Sequence, residues 1–206
     1  MRPLGDRRQY DKGGPVRPDV VDSGRTPALF VDRDGTLMVD LHYLAEADRL
    51  EIYRGVTEAL SLARAHGLRL VCVTNQSGIE RGLVTDEDVR RIHARLNERL
   101  RPHGAEIDAF YYCPHLPERG CRCRKPGTEL FERARRDLNL DIARSAIVGD
   151  RWLDIEAGRR LGIPTALVPP PGHEAEIEAE LRAHGAMPDI RARTFRAAVL
   201  RLLARG

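Results

Sequence analysis

Residues 30–37 read FVDRDGTL, which places two carboxylates directly after the short apolar run 28–31. Such a run is typical of a strand buried in a parallel sheet. Asp32 and Asp34 then lie at and just beyond the C-terminal end of this strand, where open α/β sheets bind their ligands, and Gly35 allows a sharp turn after them. A carboxylate can attack phosphorus or bind a hard cation, and a second one nearby can exchange a proton. An ordinary strand that ends in a solvated turn is the alternative for this stretch alone.

Strands and helices alternate along the chain after this stretch. Apolar runs predict strands over residues 28–31, 68–74, 107–112, 146–148 and 164–168. Apolar residues at helical spacing predict helices over about 55–66, 86–101, 129–139 and 153–161, and a helical segment from residue 173 onward that covers one edge. This order predicts an α/β fold, a doubly wound parallel sheet with helices on both faces, in a single domain over residues 27–206. Residues 1–26 are rich in Gly, Pro, Arg and Asp, and we predict that they form a flexible tail.

The composition bounds the class of protein. The chain has 206 residues, and 34 Lys and Arg nearly balance 31 Asp and Glu, for a net charge of +3. This charge is too small to indicate a nucleic acid or an anionic membrane as partner. No apolar run is long enough to span a bilayer, and the N-terminus lacks the apolar core of a signal peptide. We therefore expect a cytoplasmic, monomeric protein that acts on a small molecule.

Two segments are candidates for binding phosphate. The second predicted strand ends in TNQSGIERG, residues 74–82, which contributes four polar side chains: Thr74, Asn75, Gln76 and Ser77. Hydroxyl, amide and backbone N–H groups at a strand end can bind phosphate. Arg81 can bind an anion through a bidentate pair of hydrogen bonds. Arg124 and Lys125 open the loop before a predicted helix, and the lysine is a mobile point charge suited to phosphate. An ordinary polar turn and an exposed basic pair are the respective alternatives.

Two further acids follow the fourth predicted strand. Asp150 and Asp154 lie in GDRWLD, residues 149–154. If the strands are neighbours, these acids converge with Asp32 and Asp34 on one rim of the sheet. Four carboxylates there would repel one another unless a divalent cation held them. Because all the ligands would be oxygens, Mg²⁺ is the natural choice.

A Cys/His loop has the spacing of a zinc site, with four candidate ligands: Cys113, His115, Cys121 and Cys123. Three thiolates and one imidazole match a closed tetrahedral zinc site. A disulfide between the last two cysteines would be strained, and a reducing compartment disfavours it. We predict a structural zinc that fixes the loop carrying Arg124 and Lys125. Cys72, inside the second strand, is predicted to be a buried core residue.

In their order along the chain, these motifs resemble those of the haloacid dehalogenase (HAD) superfamily of phosphatases: DxDGT, then Thr, then Lys, then GDxxxD. The resemblance covers residues 28–168. It implies a Rossmann-like domain, and the short spacing between the motifs leaves no room for a cap domain. It also implies that Asp32 is a nucleophile that forms an aspartyl-phosphate, and that Asp34 protonates the leaving group and then activates water.

The same resemblance implies roles for the remaining motif residues. Thr74 and Lys125 would stabilise the phosphoryl group during transfer, and Asp154 would support the metal site. Magnesium would be held by three groups, the carboxylates of Asp32 and Asp150 and the backbone carbonyl of Asp34. Selectivity would come from loops, whose implied substrate-binding residues are Asp40, His42, Tyr43, Asn75, Gln76, Ser77, Arg81, Arg124 and Arg151.

Two groups within the superfamily share such a zinc loop, one acting on a sugar bisphosphate and the other on an amino alcohol bearing one phosphate. Arg81 after the polar segment favours the sugar bisphosphate, whereas the five-residue gap between His115 and Cys121 favours the amino alcohol. A second proline that usually precedes the glycine is missing from KPGT, residues 125–128. We expect a phosphorylated sugar as substrate.

Two alternatives of other classes remain. One is a phosphatase that processes nucleic-acid ends, against which the small net charge, the zinc loop and the lack of a GxxxxGK[ST] motif count. The other is a zinc-stabilised binding module without catalysis, which would require the four acids to be accidental.

Overall fold

A parallel sheet of six strands lies at the centre of the structure, a computed structural model that describes residues 24–205. The strands are β1 (Thr26–Val31), β2 (Arg69–Asn75), β3 (Ala109–Cys113), β4 (Leu140–Gly149), β5 (Thr165–Leu167) and β6 (Ile190–Arg191). Their order across the sheet is β3-β2-β1-β4-β5-β6. The chain therefore runs outward from β1 to one edge, returns to β4, and continues to the other edge. A crevice forms at such a switch point, beyond the carboxyl ends of β1 and β4.

Helices cover both faces of the sheet. They are α1 (Val56–Ala65), α2 (Asp86–Leu100), α3 (Glu129–Asp137), α4 (Trp152–Leu161), α5 (Glu174–His184) and α6 (Phe195–Leu203). Alternate residues of β1 point into two separate cores. Leu29 and Val31 pack in the core formed with α1, α2 and α6, whereas Ala28 and Phe30 pack in the core formed with α3 and α4. Because both faces of β1 are buried, its sequence is an uninterrupted apolar run.

This architecture confirms the predicted doubly wound parallel sheet, and the bounds of several elements differ in detail. The fourth strand begins at Leu140 and not at residue 146, because its first residues pair with the start of β1 before a shift in register. The segment from residue 173 onward is not wholly helical, since β6 lies between α5 and α6. Thr26 already belongs to β1, so the predicted tail 1–26 is one residue too long at its end, and its first 23 residues lie outside the described part.

Among residues 24–205, no helix has the length and apolar character needed to cross a membrane.

Candidate active site

The polar residues that follow β1, β2 and β4 line one cavity of about 270 Å³ at the carboxyl edge of the sheet. It brings together nearly all of the predicted catalytic and substrate-binding residues: Asp32, Asp34, Asp40, His42, Tyr43, Thr74, Asn75, Gln76, Ser77, Arg124, Lys125, Asp150, Arg151 and Asp154. Arg81 is the exception, because it is exposed and does not line the cavity. The turn that follows Gln76, in which the Arg81 N–H donates to the carbonyl of Ser77 at 3.1 Å, carries the arginine beyond the rim. Arg81 is therefore the one predicted substrate-binding residue that the structure does not place in the cavity lining, and its contact with substrate stays a prediction.

Three carboxylates form a cluster at the base of the cavity. Asp32, Asp150 and Asp154 each offer an oxygen, and these oxygens lie within 4.8 Å of one another. Burial, together with the charges of Asp32 and Asp154, raises the pKa of Asp150 well above its usual value. Buried carboxylates in such proximity need a positive charge, and their oxygens are the ligands that Mg²⁺ prefers. The donor set therefore fits a magnesium ion.

Neighbouring residues hold Asp150 in this cluster. Thr36 donates a hydrogen bond from Oγ1 to Asp150 Oδ1 at 3.2 Å. A Cβ atom on Gly35 would lie 2.4 Å from Asp150 Oδ2, and Gly35 has a φ of +76°. Only glycine permits both this close approach and this backbone conformation. Neither contact was predicted, although Gly35 and Thr36 directly follow the second carboxylate of the motif.

Lys125 supplies a buried positive charge beside the carboxylates. Its Nζ lies 2.9 Å from Asp32 Oδ1 and 2.6 Å from Asp154 Oδ1, and it donates to the carbonyl oxygen of Val73 at 2.8 Å. Burial alone would lower the pKa of Lys125, but the charges of Asp154 and Asp32 outweigh burial, so the pKa is raised. The side chain is therefore an ammonium with fixed position, not the mobile charge expected from the sequence.

Asn75 fixes the backbone of Lys125. Its Oδ1 accepts a hydrogen bond from the Lys125 N–H at 3.0 Å, and its Nδ2 donates to the Lys125 carbonyl at 3.3 Å. Asn75 was predicted to bind substrate. It lines the cavity, but its amide is used to couple the end of β2 to the loop that carries the ammonium.

Asp34 lines the same cavity, but its carboxylate is not a member of the cluster. Arg33 donates to both of its oxygens, from Nε to Oδ1 at 3.0 Å and from Nη2 to Oδ2 at 2.8 Å. Gln76 Nε2 donates to Asp34 Oδ2 at 2.7 Å and to Thr74 Oγ1 at 3.0 Å. All four predicted acids therefore lie on one rim of the sheet, but only three of them form the cluster, and the carboxylate of Asp34 faces the buried guanidinium of Arg33.

The four predicted zinc ligands come together in a second cluster beside the cavity. The Sγ atoms of Cys113, Cys121 and Cys123 lie 3.2–3.5 Å apart, and His115 Nδ1 lies 3.2 Å from Cys123 Sγ and 3.6 Å from Cys113 Sγ. A tetrahedral zinc site has metal–ligand distances of about 2.0–2.3 Å, so its ligand atoms are about 3.3–3.8 Å apart. The donor atoms and their separations fit zinc.

Two loops form the mouth of the cavity. The ring of Tyr43 packs on Gly78, where an added Cβ atom would lie 2.6 Å from Tyr43 Cδ1. His42 and Tyr43 both have positive φ values, of 48° and 58°, and Asp40 Oδ1 accepts a hydrogen bond from the His42 N–H at 2.9 Å. The loop of residues 40–43 is thereby held against the polar segment after β2.

Two arginines lie at the mouth in different surroundings. Arg124 donates from Nη1 to the carbonyl of His115 at 3.2 Å, so it is anchored to the Cys/His loop. Arg151 is engaged by two acids of α5, with Nη1 lying 2.7 Å from Glu180 Oε1 and 3.3 Å from Glu176 Oε1. Much of the positive charge of Arg151 is therefore already compensated within the chain.

Comparisons with known proteins agree with this geometry. A HAD-hydrolase-like family model matches residues 122–196. The chain is 41% identical over 150 residues to the probable D-glycero-D-manno-heptose-1,7-bisphosphate 7-phosphatase of Thermoplasma acidophilum, covering 72% of this chain and 94% of the relative. It is 37% identical over 163 residues to the D-glycero-beta-D-manno-heptose-1,7-bisphosphate 7-phosphatase of Haemophilus ducreyi, covering 76% of this chain and 90% of the relative.

Solved structures show the same likeness. The crystal structure of the D,D-heptose 1,7-bisphosphate phosphatase from B. bronchiseptica, complexed with magnesium and phosphate, superposes with a TM-score of 0.75 at 28% identity. The match covers 87% of this chain and 99% of that one.

Proposed function

Because the chain belongs to the HAD-like family of the D-glycero-D-manno-heptose-1,7-bisphosphate 7-phosphatases, we propose that it removes the 7-phosphate of that sugar bisphosphate. It is a phosphoric monoester hydrolase, as its named relatives are. One observation carries the proposal: Asp32, Lys125 and Asp150 meet in one cavity that offers a nucleophile, a fixed ammonium and a cation site. Phosphoryl transfer requires little more than positioning and charge neutralisation of this kind.

In the proposed reaction, a carboxylate oxygen of Asp32 attacks phosphorus while the bond from phosphorus to the sugar oxygen breaks. Asp34 gives its proton to that departing oxygen. A water molecule, deprotonated by Asp34, then attacks the phosphorus of the aspartyl-phosphate, which releases phosphate and restores the Asp32 carboxylate. Asp32 is well oriented for this task, because its Oδ1 accepts a hydrogen bond from the Arg33 N–H at 2.8 Å and lies beside Lys125 Nζ.

Residues around the nucleophile stabilise the phosphoryl group. Thr74 is buried, and because its Oγ1 already accepts from Gln76, its own proton is available for a phosphoryl oxygen. Lys125 contributes a charge that Asp154 holds in place. The carboxylates of Asp32 and Asp150 and the backbone carbonyl of Asp34 would hold magnesium, which would supply positive charge beside the phosphoryl oxygens.

The second proposed metal is a structural zinc in the Cys/His cluster. Four protein ligands would fill its coordination sphere, which leaves no open position for catalysis. The loop that it would fix carries Arg124 and Lys125 into the cavity. We also infer a cytoplasmic location, because reducing conditions keep such thiolates available to a metal.

Cys121→Ser is expected to lower both zinc content and thermal stability. The serine oxygen is a poor replacement for a thiolate, and zinc binding contributes directly to the stability of the loop. We expect less than one zinc per chain by elemental analysis and a lower melting temperature, with a smaller relative change in the rate of the chemical step. Cys72→Ser is the control, because that thiol is in the sheet core and should leave zinc content unchanged. Wild-type protein purified without chelator and containing no zinc would contradict the assignment.

Arg124 is the arginine at the cavity mouth that is available to bind substrate, and its charge favours a substrate with two phosphates. Arg124 is anchored on the Cys/His loop and lines the cavity, whereas Arg81 does not and Arg151 is compensated by Glu176 and Glu180. A cationic mouth suits a second phosphate and repels the ammonium of histidinol phosphate. A bidentate, charge-assisted contact between an arginine and a phosphate contributes about 1.5–3 kcal/mol to binding. We therefore expect kcat/KM for the sugar bisphosphate to exceed that for histidinol phosphate by about 10²-fold.

The test compares the two substrates with wild-type protein and with Arg124→Ala. The variant should lose most of the preference through a higher KM for the bisphosphate, and it should still hydrolyse an aryl phosphate. Arg122→Ala is the matched control, since it removes an equal charge from the same loop at an exposed position outside the cavity. Faster hydrolysis of histidinol phosphate by the wild-type protein would overturn the proposed substrate and leave the phosphatase chemistry in place.

A further inference from the structure

The guanidinium of Arg33 is buried, although the residue lies inside the motif that carries the two proposed catalytic acids. Its side chain is 2% exposed. Besides its two bonds to Asp34, Arg33 donates from Nη2 to Gln76 Oε1 at 2.9 Å, and its Nη1 lies 3.2 Å from His93 Nε2. The arginine side chain has four rotatable bonds, so its buried guanidinium keeps one orientation only if hydrogen-bond partners surround it. Of these partners, Asp34 and Gln76 line the cavity, whereas His93 does not.

His93 is a neutral acceptor in this position. It lies on the buried side of α2, its ring stacks on Phe110 with centroids 4.3 Å apart at 11°, and Tyr112 meets it edge-on at 5.6 Å. Burial and the neighbouring Arg33 cation lower the pKa of His93 to about 3. Since a guanidinium can only donate, Nε2 must accept and the ring proton must be on Nδ1.

The bonds to Asp34 determine which of its oxygens can carry a proton. Oδ2 accepts from both Arg33 Nη2 and Gln76 Nε2, whereas Oδ1 accepts only from Arg33 Nε among the contacts formed by residues 24–205. A carboxyl oxygen that already accepts two hydrogen bonds has no room for a proton as well. Oδ1 is therefore the oxygen that would bear the proton given to the leaving group.

We propose that His93 is a positioning residue for the hydrolysis: by accepting from Arg33 it fixes the guanidinium, which in turn holds the Asp34 carboxyl with Oδ1 directed to the leaving oxygen. The inference rests on the role of Asp34 in the proposed function. His93 does not line the cavity, so it acts on the reaction only through Arg33. If residue 93 offered no acceptor, one buried N–H of Arg33 would lack a hydrogen bond, and the guanidinium would rotate toward another acceptor.

A positioning role predicts a dependence on the leaving group that loss of packing would not produce. A sugar alkoxide needs a proton as the bond to phosphorus breaks, whereas 2,4-dinitrophenolate leaves readily as the anion. The test therefore measures single-turnover release of the leaving group, with magnesium and enzyme in excess, for the sugar bisphosphate and for 2,4-dinitrophenyl phosphate. His93→Met keeps the bulk but offers only a thioether sulfur, a weak acceptor, whereas His93→Gln keeps both the bulk and a strong acceptor.

For His93→Met, we expect the release of the sugar product from the bisphosphate to slow by about 10-fold or more. General acid catalysis contributes a factor of about 10²–10⁴ to the rate, and the variant loses only part of it. The release of dinitrophenolate should change by less than about 3-fold. His93→Gln should restore the sugar rate to within about 3-fold, because its Oε1 can accept in the same place. His103→Met, at an exposed position, should match the wild type with both substrates. If His93→Met does not fold, Arg33→Lys is tested instead. It keeps the positive charge but loses the planar guanidinium that bonds both oxygens of Asp34, so it should also slow the sugar bisphosphate more than the dinitrophenyl phosphate.

Asp34→Asn separates the two proposals. If this variant shows no selective loss with the sugar, the proposed role of Asp34 fails and the inference about His93 fails with it. A second outcome is that Asp34→Asn slows only the sugar bisphosphate, while His93→Met slows both substrates equally or slows neither. That result would overturn the positioning role of His93 and leave the proposed function in place.

Discussion

Asp32→Asn is expected to reduce kcat by at least about 10³-fold while the protein remains folded, because no other nucleophile among residues 24–205 is placed to replace the lost carboxylate. The amide is nearly isosteric, but it cannot attack phosphorus and it carries no charge to offer a cation. Asp32 also lies 2.9 Å from Lys125 Nζ, so the variant removes one of the two carboxylates that the ammonium contacts.

The measurement is steady-state hydrolysis of the sugar bisphosphate at saturating magnesium, with the melting temperature as a check on folding. Asp48→Asn is the matched control, because it makes the same chemical change at a side chain that is 91% exposed, and it should retain full activity. A variant at position 32 that keeps more than a tenth of the wild-type rate would exclude Asp32 as the nucleophile.

Lys125→Met is expected to reduce both activity and stability. Methionine has a similar length, but it leaves the carboxylates of Asp32 and Asp154 near each other without their shared cation. Removing one member of a buried ion pair costs about 3–5 kcal/mol of unfolding free energy, and removing a charge aimed at the transferring group costs about 10²–10³ in kcat. Magnesium should restore part of the stability, since it neutralises the same carboxylates, but little of the activity.

Urea unfolding with and without magnesium, together with kcat, checks this expectation. Arg122→Met is the control, as it removes a positive charge from an exposed side chain of the same loop and should change neither quantity appreciably. Unchanged stability of Lys125→Met in the absence of magnesium would contradict the view that Lys125 compensates Asp32 and Asp154.

Much of the fold was predictable because buried parallel strands leave a simple pattern. The runs that became β1 and β2 are apolar on both faces, so each strand is visible as an unbroken hydrophobic segment. The positions of the acids followed from this, since residues after such strands share one edge of the sheet. By contrast, β6 has only two residues, Ile190 and Arg191, which is too short for any periodicity to be detected.

The features of the site that the sequence did not indicate concern side-chain direction, which spacing along the chain does not determine. Arg81 lies five residues after Gln76, but the intervening turn moves it out of the cavity. Asp34 lies two residues after Asp32, yet Arg33 turns its carboxylate away from the cluster. The role inferred for His93 depends on a contact between residues 60 positions apart, and a single histidine on the apolar face of a helix carries no local signal of such a contact.

The most direct test of the proposed function is to follow hydrolysis of D-glycero-D-manno-heptose 1,7-bisphosphate by phosphorus NMR, with wild-type protein and with Asp32→Asn. We expect the wild type to release inorganic phosphate at the expense of the C7 phosphomonoester signal alone, while the anomeric phosphate signal persists as heptose 1-phosphate. The variant should release no phosphate over the same period. Loss of the anomeric phosphate first, or release of phosphate by the variant at the wild-type rate, would contradict the account.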